Sequence, residues 1–253
     1  MKERLLLLAL LMLGSGPVWA EQPAECRVAE NLLESSFRLP RVTRAIVAKH
    51  LTVLVMGAGS SQLPGPNGSN GAGNAYPVRL QQALAQQLPG VDVKVTTDVK
   101  AKRTAAEMVK GLPAALSASK PALLVWQTGT VDAMLAIDPD QFSHALDKGI
   151  NIAHSAGTDV VLINAQYSPR TESMIALGTY AEDMRWVALQ HEVPVFDRFS
   201  IMKLWGELGT FDLYSATKKL DIAERVHDCI GRLLADLVIT AAKPEEPPVN
   251  GSR

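Results

Sequence analysis

The chain has 253 residues, 47% of them hydrophobic, and 25 Lys and Arg against 26 Asp and Glu leave a formal net charge of −1. A charge so near zero excludes a nucleic-acid or anionic-membrane partner held by charge alone. The 5 histidines are scattered and the 2 cysteines lie far apart, so no metal-ligand cluster and no cofactor is expected.

Residues 1–20 read as a secretory signal. Lys2 and Arg4 give a positive start, Leu5 to Leu13 is an unbroken apolar run, and Val18-Trp19-Ala20 offers small residues for cleavage. The run is too short to span a bilayer. No cysteine directly follows Ala20, so no lipoprotein signal is expected. The mature chain should begin near Glu21, periplasmic or secreted, with no membrane anchor left after cleavage. Residues 21–242 suit one α/β domain with a sizeable core. Residues 243–253, with three prolines, read as a disordered tail.

In chain order, residues 21–49 look largely helical, with a break at Pro40. Leu51 to Met56 is an apolar run that stops at Gly57 and reads as a strand buried on both faces. The loop 62–74 is rich in Gly, Pro, Asn and Ser. A helix is expected over 76–88, where Leu80, Leu84 and Leu88 fall at i, i+4, i+8. Val91, Val93 and Val95 alternate as a second strand, placed at the sheet edge. A helix covers 104–116, with Pro113 kinking or ending it. Strands follow at 121–126, 159–164 and 193–196, with helices at 139–156, 172–191 and 218–241.

Strand and helix alternate about five times, and each connection is long enough for a crossover helix. That pattern predicts a three-layer α/β/α sandwich around a parallel five-stranded sheet, for which a flavodoxin-like order, 2-1-3-4-5, is assumed. Ligands bind such sheets at the carboxyl ends of the strands, next to the switch point. The turns at Gly57–Ser61 and Gly129–Asp132 are therefore expected to face each other across one crevice. Tyr167 and Arg170, after the fourth strand, are candidates to line it.

Near the end, Glu224 and His227 stand three apart on a helix, so their side chains can meet. A carboxylate can hold an imidazole in one tautomer, leaving the other nitrogen to take a serine proton. The same spacing also arises by chance on helix surfaces. Cys26 and Cys229 are expected to pair in an oxidising compartment, tying the N-terminal segment to the last helix beside His227.

Serines after the first strand, Gly129-Thr130-Val131-Asp132 after the third, and Glu224-x-x-His227 together resemble the SGNH hydrolases, also called GDSL esterases. The likeness runs from about Leu51 to Leu237, and Tyr76-Pro77-x-Arg79-Leu80 is similar to the first helix of many members. The resemblance implies a serine nucleophile in Gly-Asp-Ser-x-Ser/Thr, an oxyanion hole completed by a glycine and an asparagine, and a C-terminal Asp-x-x-His. This chain departs from that pattern. Aligned from Gly57 the nucleophile position is Gly59, aligned from Gly59 it is Ser61, and a one-residue bulge would make it Ser60. The second-strand exit has no glycine, the asparagine position is Val131, and the acid is Glu224.

Two functions follow from the resemblance. One is a secreted serine esterase that cleaves an acyl ester, such as an acetyl group on a polysaccharide. Its nucleophile would be Ser60 or Ser61, its base His227 and its orienting acid Glu224, with Gly59, Gly129, Thr130, Asp132 and Arg170 around the substrate. The other is a non-catalytic module that binds a glycan or a partner in the same crevice, which the missing oxyanion donors favour.

Overall fold

The structure, a computed structural model, describes residues 23–64, 70–71, 74–214 and 220–243. The expected signal, most of the long loop after the first strand, and the tail beyond residue 243 lie outside them.

Five apolar runs become five parallel strands: β1 (His50–Gly57), β2 (Asp92–Val99), β3 (Leu123–Gln127), β4 (Asp159–Ile163) and β5 (Val195–Phe196). Their order is β2-β1-β3-β4-β5, the flavodoxin-like order expected. β3 and β4 are buried at every position, because helices cover both faces of a parallel sheet. β2 lies at the edge and has no fully buried residue. A short antiparallel pair, Leu63–Pro64 with Asn70–Gly71, sits in the long loop.

One face is covered by α1 (Pro40–Val47), α2 (Tyr76–Gln87), a helix at Arg198–Glu207 and a long last helix, Leu220–Ala241. The other face is covered by α3 (Ala105–Ser119), a helix at Pro139–Ser155 and a helix at Leu177–Gln190. With two short turns, α4 (Thr130–Met134) and α6 (Pro169–Glu172), the remaining helices are α5 (Pro139–Ser155), α7 (Leu177–Gln190), α8 (Arg198–Glu207) and α9 (Leu220–Ala241).

Several local expectations change. Residues 23–49 hold two 3-10 turns, Ala24–Cys26 and Glu30–Leu32, before α1. Pro40 begins α1 and does not break a helix, because its missing N–H costs nothing in the first turn. Pro113 lies inside α3 without ending it. The Thr104–Glu107 capping box supports that helix from its start. The expected helix 172–191 begins only at Leu177, as α7, and the loop expected before it holds the short α6. α8 was not anticipated. Asp197 starts it by accepting from the Ser200 N–H, and Ile201 and Trp205 bury its inner side.

Cys26 and Cys229 form a disulfide with Cα atoms 5.0 Å apart. It joins the first 3-10 turn to α9, and an Arg225–Glu25 ion pair runs beside it.

Candidate functional site

β1 delivers its chain to the carboxyl edge of the sheet, where Gly59–Ser61 forms a 3-10 turn. Ser61 points inward and is buried. Its Oγ donates to Gln127 Oε1 at 3.0 Å and lies 2.9 Å from the Tyr76 hydroxyl. A serine has one proton, so the Tyr76 hydroxyl is the donor in the second bond. Burial pushes the Tyr76 phenol up to about 12, which keeps that proton in place. Gln127 Oε1 also accepts from the Ala58 N–H at 3.2 Å. A side chain at position 57 would bring its Cβ within 2.4 Å of Ser61 Oγ, so the close turn requires Gly57.

Ser60 is among the residues that line a cavity of about 340 Å³, with Gly59, Gln166, Tyr167, Ser168 and His227. Ser60 Oγ has no hydrogen-bond partner among the described residues. The Ser60 carbonyl accepts from Arg198 Nη1 at 3.0 Å, and Arg198 Nη2 donates to Gln166 Oε1 at 3.0 Å. Arg198 is fully buried. Burial lowers its guanidinium to about 10, which leaves it charged at neutral pH.

His227, on α9, is 4% exposed. Its Nδ1 accepts a hydrogen bond from the Tyr76 backbone N–H at 3.0 Å. An N–H can only donate, so Nδ1 carries the lone pair and the proton of the neutral ring sits on Nε2. Burial, aided by the Arg198 cation, holds the imidazole well below its ordinary range. The ring is therefore neutral throughout the physiological range.

Glu224 does not pair with His227. Its carboxylate accepts from Asn74 Nδ2 at 2.7 Å, and Asn74 Oδ1 accepts from Arg79 Nη2 at 3.1 Å. The i, i+3 spacing put the two side chains within reach, but the start of α2 docks against α9 and supplies each with a different partner.

The third-strand turn also departs from the expected crevice. None of Gly129, Thr130 and Asp132 borders the cavity. Gly129 has φ +94°, a left-handed conformation that suits glycine, and it opens α4. Asp132 is buried and accepts from the Ala105 N–H at 3.0 Å, so it ties this turn to the start of α3. Its carboxyl is raised by burial. Val131 packs into the apolar cluster beneath α3, α5 and α7. Thr130 Oγ1 is buried without a partner among the described residues. Arg170 is exposed on α6 and does not line the cavity, whereas Tyr167 does. Gln127, Asn74 and Arg198 are polar residues of this region that the motifs did not point to, and Tyr76 entered only through the first-helix likeness, with no role at the site.

The neutral His227 has a consequence for stability. The unfolded chain takes a proton on this imidazole near pH 6.5, and the native state resists it. Stability should therefore fall as pH drops below about 6.5, by about 1.4 kcal/mol per pH unit from this group. His154, also lowered chiefly by burial, acts in the same direction. Urea melts from pH 7 to 5 should show a shallower dependence for His227→Gln than for wild type. Parallel curves would mean that His227 takes its proton in the native state.

The comparisons with known proteins agree with this architecture. The solved structure of TesA is 24% identical with a TM-score of 0.57, and the match covers 74% of this chain and 99% of TesA. A catalytic mutant of Axe2, an acetylxylan esterase from Geobacillus stearothermophilus, is 16% identical with a TM-score of 0.57, over 77% of this chain and 95% of that one. The lipase/acylhydrolase from Enterococcus faecalis is 17% identical with a TM-score of 0.53, over 72% and 96%. No curated protein matches the chain. The fold is thus that of the SGNH esterases and lipases. The Non-GDSL lipase-like family model matches residues 25–244, and the chain belongs to that family.

Proposed function

We propose that this chain is an SGNH-fold binding protein that holds a small acyl compound in the cavity beside Ser60 and His227 without hydrolysing it. The observation that carries this reading is the hydrogen bond from the Tyr76 N–H to His227 Nδ1. A general base needs a free lone pair toward the serine and a carboxylate behind the ring. Here the lone pair is committed to the backbone, and the carboxylate of Glu224 is committed to Asn74. His227 keeps an Nε2–H, which is a donor. Ser61 is fully engaged by Gln127 and Tyr76. The half-apolar cavity, with Leu63, Met202 and Val226 in its wall, suits an acyl group.

A second reading is a slow esterase that acts on acyl esters, carbohydrate acetyl groups included. One observation favours it. Ser60 lines the same cavity as His227, and its Oγ has no partner among the described residues.

One assay separates the two. Wild type, Ser60→Ala and the double Ser60→Ala, Ser61→Ala protein should release p-nitrophenol from p-nitrophenyl acetate at the same background rate. Gly59→Ser should behave likewise. Its added Cβ would meet only Ala101 Cβ at 3.8 Å, so the hydroxyl is accommodated, but no base awaits it. Turnover by wild type that Ser60→Ala abolishes would establish the esterase and retire the binding reading.

The disulfide and the charged, apolar start of the sequence support a periplasmic or secreted location. N-terminal sequencing of protein from its native host should begin near Glu21, and an intact Met1 on the recovered protein would count against export.

A further inference from the structure

A guanidinium without a carboxylate is unusual at full burial. Arg198 is 0% exposed, and its described partners are two neutral oxygens, Ser60 O and Gln166 Oε1. Its Nε has no partner among the described residues. The Tyr76 ring lies 5.7 Å from the guanidinium carbon. Asp197, the adjacent residue, is turned to Arg185, Asn164 and Ser200. A buried cation without an anion costs several kcal/mol, so the fold bears a charge that nothing described in it neutralises.

Both oxygens that Arg198 holds belong to residues of the cavity wall. The guanidinium therefore lies directly behind that wall. No Asp or Glu is among the described residues that line the cavity. The nearby Glu224 is already held by Asn74. Two residues of the lining keep a donor: Ser60, whose buried Oγ has no partner among the described residues, and His227, whose Nε2 the Tyr76 contact leaves protonated. Leu63, Met202 and Leu213 form the apolar part of the wall. One unmatched positive charge behind a partly apolar cavity concentrates a positive potential inside it.

We infer that the cavity binds a carboxylate: an aliphatic acid whose chain lies along the apolar wall and whose anionic head sits at Ser60 and His227, in front of Arg198. This names the ligand class of the binding function proposed above and rests on that reading. The carboxylate would accept from Ser60 Oγ–H and His227 Nε2–H and would supply the counter-charge that Arg198 lacks. Gln166 and the Ser60 carbonyl, by holding the guanidinium, fix where that charge lies.

The test uses hexanoate and hexanamide, which have the same shape and differ in charge, titrated calorimetrically into the mature protein at pH 7. Hexanoate should bind at least about tenfold more tightly. Arg198→Gln should remove the preference, so that the two ligands bind it alike. If that variant does not fold, the two ligands on wild type still decide the point. Ala223→Phe, which fills the cavity from α9, should abolish binding of both, and Ser168→Phe fills it from the opposite wall should the first variant be unstable. Equal binding of the two ligands would overturn the carboxylate while leaving the cavity as an acyl site. Absence of binding by either, or binding that survives both filling variants, would overturn the acyl-binding reading and the carboxylate with it.

Discussion

Removing the Cys26–Cys229 bond, by Cys26→Ala, is expected to be among the most destabilising single changes in the protein. The bond spans 203 residues. In the chain-entropy model, a loop of that length constrains the unfolded chain by roughly 5 kcal/mol, an upper figure. Both cysteines are fully buried within the main apolar cluster, so Cys26→Ala also leaves a small void. An Arg225–Glu25 pair also joins the first 3-10 turn to α9. Residues 23–28 should loosen more than the rest of the chain. The Tyr76–His227 contact should persist, because it belongs to the separate α2–α9 packing. Urea denaturation of wild type and Cys26→Ala should show a large drop in midpoint, with ligand binding under native conditions preserved. Coincident midpoints would mean that the bond constrains a chain already held by other contacts.

How much of this was legible in the sequence depends on the kind of contact. The sheet was legible because each central strand is a short apolar run ending at a turn, and crossover lengths fix a parallel order. The disulfide was legible because only two cysteines exist. α8 was not, although five of its ten residues are apolar, because its start is marked only by Asp197. Arg198, at its first position, therefore had no element to be placed on. Gln127 could have been suspected, since it is the polar last residue of a strand otherwise entirely apolar. The partners of Glu224 and His227 could not. Asn74 and Tyr76 lie about 150 residues earlier in the chain, and spacing along one helix carries no information about what another helix brings to it.

That helix contact gives the second large effect, at Gly231. α9 crosses α2 so closely that a Cβ at position 231 would stand 2.5 Å from Arg79 Cβ, 2.8 Å from the Leu80 nitrogen and 2.9 Å from the Arg79 carbonyl carbon. Real Cβ atoms do not approach backbone so closely, and two of these three neighbours are backbone atoms that cannot rotate away. Gly231→Ala must push the helices apart. Helix propensity favours alanine by about 1 kcal/mol, so an isolated α9 would gain from the change. The packing term opposes it. Overpacking typically costs 1–3 kcal/mol, and displacement of a whole helix against a fully buried seam puts this case at the upper end or above. The net expectation is a loss of about 2 kcal/mol or more, read as a lowered melting temperature. The same seam carries the Tyr76–His227 and Asn74–Glu224 hydrogen bonds. Gly231→Ala should therefore also release His227 Nδ1, raise the imidazole pKa toward its ordinary value and weaken ligand binding together with stability. Histidine NMR titration of the variant reads this directly. A stable variant with an unchanged His227 titration would mean that α9 can shift without disturbing the site, and that the polar contacts and not the glycine seam set the position of His227.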